Sequence, residues 1–173
     1  MSARLRSAPA SALVDAIYEA AFSPENWIDV LAKVGAASGS ASGLLMVFDE
    51  TRPVQFRATA VVHDIIQAAA RATGQPNLRA AFTLKNPFTG FVRVSDYFPP
   101  QLLNDDPGHA RRLAVGLDSE ASAVIPMPTR EMVVFSFDRW QRDTELCQLN
   151  DPIARSDCQW RLAVSVSVSS VSP

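Results

Sequence analysis

The chain has 173 residues, 47% of them hydrophobic and 20% charged, ordinary proportions for one globular domain with a real core. Sixteen Lys and Arg against 18 Asp and Glu leave a net charge of −2, which gives no bulk reason to expect nucleic acid or an anionic membrane as partner. No apolar run approaches the roughly 20 residues needed to span a bilayer.

The opening MSARLRSAPA is basic and free of acid, but no apolar h-region follows it, so residues 1–10 read as a flexible N-terminus. Two consecutive helices are expected from Ser11 to Ala37. Leu13, Ile17 and Ala20, with Val14 and Ala21 beside them, make an apolar stripe on the first. Trp27, Val30, Leu31 and Val34 make a full apolar face on the second. At the corner, Ser23 is expected to cap the second helix through its hydroxyl, with Pro24 at the first helical position and Glu25 at the positive end of the dipole. Neither helix can bury its stripe alone, and an antiparallel sheet is expected to lie against both.

After a loop of small residues, Leu44 to Phe48 reads as a buried strand. Residues 49–53 have turn composition. Val54, Phe56, Ala58 and Ala60 then alternate with polar residues as a half-buried partner strand. Asp64 is expected to cap a third helix with Ile65, Ile66 and Ala69 inward, closed by Gly74 and kept from resuming by Pro76. Asn77 is placed as the cap of a short helix to Leu84, which Asn86-Pro87 ends. Phe91 to Val94 is a short strand, and a helical turn follows from Asp96 to Leu103. Gly108 to Val115 suits another helix, with Arg111 and Arg112 outward. Glu120 to Met127 and Met132 to Phe137 form a second strand pair, linked through residues 129–131. Asp143 or Thr144 would cap a last helix with Leu146 and Leu149 inward. Adjacent strand pairs with helices grouped outside them predict an α+β fold, an antiparallel sheet of about five strands flanked by helices.

Candidate chemistry is sparse. Only His63 and His109 are present, with no HxH or HExxH spacing. Asp105, Asp106 and His109 form the closest thing to a cluster, and it reads as the solvated start of a helix. No GxSxG elbow, GxGxxG or Walker loop occurs, so no catalytic residue, metal or cofactor is assigned and the chain is not read as an enzyme. Cys147 and Cys158, eleven residues apart, would stand about 16 Å apart on one helix, too far for a disulfide. Two free thiols suit a cytoplasmic protein. The aromatics Phe82, Phe88, Phe91, Tyr97 and Phe98 concentrate in the irregular middle of the chain. They are either ordinary core under a long connection or the lining of a small-molecule cavity.

Ile17-Tyr18-Glu19-Ala20-Ala21, followed by Pro24 and Trp27, resembles the opening of the N-terminal sensory domains of LuxR-type transcriptional regulators. The similarity continues in order at Asn86-Pro87-Phe88, at Val94 to Leu103 and at Gly116-Leu117. It implies a GAF/PAS-like domain over residues 11–158, with helices on one face of the sheet and a ligand cavity on the other. It further implies a homodimer that senses a small apolar or aromatic molecule. The ligand-binding residues expected on this basis are Phe56, Phe82, Phe88, Tyr97, Phe98 and Phe135. The alternative is a small-molecule-binding or enzymatic domain that stands alone. The family's helix-turn-helix has no counterpart in the sequence, so no direct contact with nucleic acid is expected. The tryptophan–tyrosine–aspartate pattern of the acyl-homoserine-lactone receptors is not matched. After Leu149 the resemblance implies a long helix. Instead residues 159–173 form an atypical tail, whose Val164-Ser165-Val166-Ser167-Val168 alternates like a strand. A natural edge strand or a changed reading frame near Asn150 would each produce it.

Overall fold

Alternating side chains sort the strands into two faces. The computed structural model describes residues 10–48, 54–71, 77–129 and 131–142. Strand β1 (Leu44–Phe48) pairs antiparallel with β2 (Gln55–Ala58), Met46 standing opposite Phe56. Strand β4 (Leu117–Pro126) pairs antiparallel with β5 (Met132–Trp140), with Glu120 opposite Asp138 and Ser122 opposite Ser136. Strand β3 (Phe91–Arg93) lies along the outer edge of β4. β1 pairs with β5, Leu44 opposite Ser136, so the order is β2-β1-β5-β4-β3 and every pairing is antiparallel. The fold is α+β with a five-stranded sheet, as the sequence predicts.

Helix α2 (Trp27–Ser38) covers one face, preceded by helix α1 (Ala10–Phe22) and a 3-10 turn over Pro24–Asn26. The expected cap at Ser23 is not made: its side chain bonds no backbone N–H of the helix. The reason is the inserted turn, closed by Asn26 N–H donating to the Ser23 carbonyl at 2.9 Å, which delays the α-helix to Trp27. α2 buries Val30 and Leu31, and the Trp27 ring meets Phe135 of the sheet at 6.1 Å. At its end Gly39 takes the left-handed conformation, φ 66°, that a side chain would strain. α1 packs along α2 rather than against the sheet. Of its predicted stripe Ala20 is fully buried, whereas Val14, Ile17 and Ala21 are exposed.

The other face carries α3 (Ala60–Arg71), α4 (Leu78–Lys85), α5 (Val94–Tyr97), α6 (Pro100–Asn104) and α7 (Pro107–Ala114). Helices therefore lie on both faces of the sheet, not on one. α3 begins a turn earlier than the sequence predicts, because the Thr59 carbonyl accepts from the N–H groups of Val62 and His63. Ala60 is thus helical rather than in β2, and Asp64 lies inside the helix rather than capping it. Asn77 does cap α4, its side chain accepting from Ala80 N–H at 3.0 Å. Leu44, Ala58, Val62, Ile66 and Leu117 form the core under α3. A second cluster, Val94, Phe98 and Leu103, lies where α5 and α6 meet. The turn at 49–53, the stops at Gly74 and Pro76, the helix expected after Asp143, both cysteines and the tail lie outside the described residues. Among those residues no helix is long and apolar enough to cross a membrane.

Candidate functional site

Between the sheet and helices α3, α4 and α7 lies a cavity of about 480 Å³. Its floor is the side of β1, β5 and β4 that faces α3. Period-2 alternation sends Leu44, Met46 and Phe48 from β1, and Met132 and Val134 from β5, into the same space. Ile65, Ile66 and Ala69 of α3 close one wall, and Phe88 and Phe98 close another. These residues make most of the cavity apolar.

One end is different. Glu120 and Ser122 of β4 face Ser136 and Asp138 of β5 across the strand pair, and Arg79 of α4 and Arg112 of α7 come down onto them. Arg79 Nη2 donates to Glu120 Oε2 at 3.0 Å and its Nη1 lies 3.4 Å from Asp106 Oδ2, while its guanidinium stacks 5.0 Å above the Phe98 ring. Ser136 Oγ donates to Glu120 Oε1 at 2.5 Å. Ser42 Oγ donates to Asp138 Oδ2 at 2.5 Å. Arg112 stands 3.2 Å from Asp138 Oδ1 through Nε and 3.9 Å from Glu120 Oε1 through Nη2. The first is a close ion pair, and the second lies beyond hydrogen-bond reach. Arg112 and Glu120 are each 5% exposed and Asp138 is 1% exposed.

Burial governs the charges here. It would raise the Glu120 carboxyl, but Arg112 and Arg79 overcome it and hold that group down at about 2. Asp138 is pushed up to about 6 by burial, which Arg112 opposes and Glu120 reinforces. Burial works against the charged form of Arg112, but Glu120, Asp138 and Asp106 together raise its pKa. Asp106 also caps α7, its Oδ1 accepting from Gly108 N–H at 2.8 Å.

The aromatics named from the sequence separate into three places. Phe88 and Phe98 line the cavity. Phe82 and Tyr97 pack with them, at 5.5 Å between Phe82 and Phe98 and 4.4 Å between Phe88 and Tyr97, without lining it themselves. Four of the middle-segment rings are thus core and lining at once, whereas Phe91 is exposed and meets Phe137 on the other face. Phe56 sits on the cavity face but under the His63 ring, 5.6 Å away. Phe135 points to the opposite face against Trp27. Arg112 is the largest departure from expectation: predicted outward on its helix, it is buried in the cavity wall. Its signal in the sequence is indirect. Glu120-x-Ser122 and Ser136-x-Asp138 put two polar residues on one face of each paired strand, and buried carboxylates require a cationic partner.

No protein-family model and no curated protein matches the chain in sequence. Solved structures do match it in shape. The ligand-binding domain of VqsR from Pseudomonas aeruginosa superposes with a TM-score of 0.58 over 87% of this chain and 94% of that one, at 10% identity. CepR2 of Burkholderia cenocepacia, an N-acylhomoserine-lactone-dependent LuxR-family transcription factor, gives a TM-score of 0.51 over 75% of this chain and 76% of that one, at 13% identity. The fold is that of a LuxR-type ligand-binding domain. This is the architecture that the opening helices and the order of elements imply. At these identities the likeness concerns the backbone, and the chemistry of the site rests on its own residues.

Proposed function

We propose that the chain is a ligand-sensing regulatory domain, a binding module rather than an enzyme, which takes up a small apolar or aromatic molecule in the cavity over the sheet. The observation that carries this reading is the cavity itself: about 480 Å³, within the size of small-molecule sites, mostly apolar, with convergent polar groups at one end. The LuxR-type fold supports it. Phe88 and Phe98 are the expected aromatic contacts, with Phe82 and Tyr97 holding them in place. The site's carboxylates and arginines are engaged with one another, an arrangement that suits orientation of a ligand better than proton transfer. In this reading the domain works in the cytoplasm as a homodimer and regulates a partner module that binds DNA. The exposed apolar side chains Val14, Ile17, Tyr18 and Phe22 on α1 support self-association.

Thermal-shift screening of the purified protein against a metabolite collection tests the reading. A true ligand at about a hundred times its Kd adds roughly 2.7 kcal/mol of stability, several degrees in melting temperature. A Phe98→Ala variant should lose most of that shift. If no apolar or aromatic compound moves the melting temperature, the sensor reading fails. Sedimentation at micromolar concentration tests the dimer, and a monomer there counts against it.

A further inference from the structure

The polar end of the cavity specifies more than size. Every oxygen of Glu120 is occupied, one by Ser136 and one by Arg79. Arg112 lines the cavity, is 5% exposed, and meets Asp138 closely through Nε but Glu120 only at 3.9 Å through Nη2. At 3.9 Å from Glu120, Nη2 makes no hydrogen bond to it; that edge of the buried guanidinium calls for an acceptor, and its planar fork matches the two oxygens of a carboxylate. From that end the apolar floor of Met46, Met132 and Val134 leads away toward Ile65.

Resting on the sensor reading above, we propose that the ligand is an amphipathic carboxylate, its acid group seated on the Arg112 guanidinium and its apolar body along the floor between β1, β5 and α3. Charge balance sets a condition on this. Arg79 and Arg112 face Asp106, Glu120 and Asp138, an excess of one negative charge. A second anionic charge is tolerated if one carboxyl takes a proton, and Asp138 is the group already pushed toward protonation. The groups facing it are Arg112 from α7, Arg79 from α4, Glu120 from β4 and the Ser42 hydroxyl. With the proton on Asp138 and the ligand in place, the site returns to its original charge. Binding therefore takes up protons and tightens as pH falls from 7.5 toward 6, by at most about tenfold per unit for one proton.

Decanoate and its methyl ester are the probes, measured by calorimetry on the unaltered protein at pH 6.0, 6.75 and 7.5. The expected result is binding of decanoate at least tenfold tighter than the ester, stronger at pH 6.0 than at pH 7.5, and lost in Arg112→Gln. Equal or tighter binding of the ester overturns the carboxylate assignment and leaves the sensor reading standing. Failure of both probes also overturns it, and the sensor reading is then decided by the metabolite screen. Unchanged decanoate binding in Arg112→Gln overturns the role of Arg112. Should that variant not fold, the acid–ester comparison on the unaltered protein decides alone.

Discussion

The two faces of the sheet solve opposite problems with the same strands. On the α2 face, Phe135 and Phe137 of β5 meet Trp27 and Leu31, and Gly43 passes so close that an added Cβ would lie 3.0 Å from Leu31 Cβ and 3.1 Å from Phe137 Cε1. On the other face, one residue along in β5, Val134 and Ser136 look into a cavity of about 480 Å³ and Asp138 joins the ionic cluster at its end. The alternation that gives each strand two sides lets one side be filled to contact density while the other is left open. On the second face the open space lies beside the core under α3, so stability draws on both faces and selectivity on the second alone.

That division can be broken by substitution. Phe137→Ala, which removes a ring 2% exposed, should cost about 3–5 kcal/mol in denaturant melts. Arg112→Met should cost a similar amount, about 3–5 kcal/mol, for a different reason: it strands Asp138 without its close cation and leaves Glu120 with Arg79 alone. Combined with Glu120→Gln and Asp138→Asn, the loss should shrink markedly, and an unchanged loss would show that Arg112 acts through packing. Gly43→Ala should cost about 1–3 kcal/mol, because Leu31 and Phe137 cannot retreat. Val134→Ala, half-buried beside empty space, should cost less than about 1.5 kcal/mol, and a larger cost would mean the cavity is narrower than described. Ser23→Ala should lie within about 0.5 kcal/mol of neutral, since no cap is lost.

The ionic cluster also gives the cavity face its own pH response. Asp138 has its pKa raised from 3.8 to about 6, so the folded chain binds the extra proton and stability should rise as pH falls from 6 toward 4. Glu120 is lowered from 4.5 to about 2, so its contribution is present above 4.5 and is lost on further acidification toward 2. Asp138→Asn should flatten the first change and leave the second, as read from urea midpoints across pH 3–7.

Much of the α2 face is legible in the sequence. The spacing of Trp27, Val30, Leu31 and Val34 fixes which side of α2 turns inward, because helical period and apolar character agree. The strands at Leu44 and Met132 are legible for the same reason. The corner is not, because Ser23 and Pro24 carry the signature of an α-helical start whether or not a 3-10 turn intervenes. The cavity is half legible. Phe88 and Phe98 stand out in the sequence, but composition cannot tell which ring in a cluster reaches the open space. Phe135 lies on the face away from the cavity because register decides a strand residue's side, and register depends on pairing partners far away in the chain. Arg112 reads as outward because a charged helix residue is usually solvated. Only the carboxylates opposite it on β4 and β5 reverse that expectation.

The pairing of β1 with β5 has a consequence for the order of assembly. Each hairpin forms from neighbours in sequence, whereas the centre of the sheet joins segments at opposite ends of the described chain, as the Ser42–Asp138 hydrogen bond across 96 positions illustrates. Closing so long a loop pays its entropy before any contact rewards it. The two hairpins should therefore exist as separate nuclei before they dock. Leu31 waits for Phe137, and on a ribosome the α2 face stays uncovered until β5 has emerged.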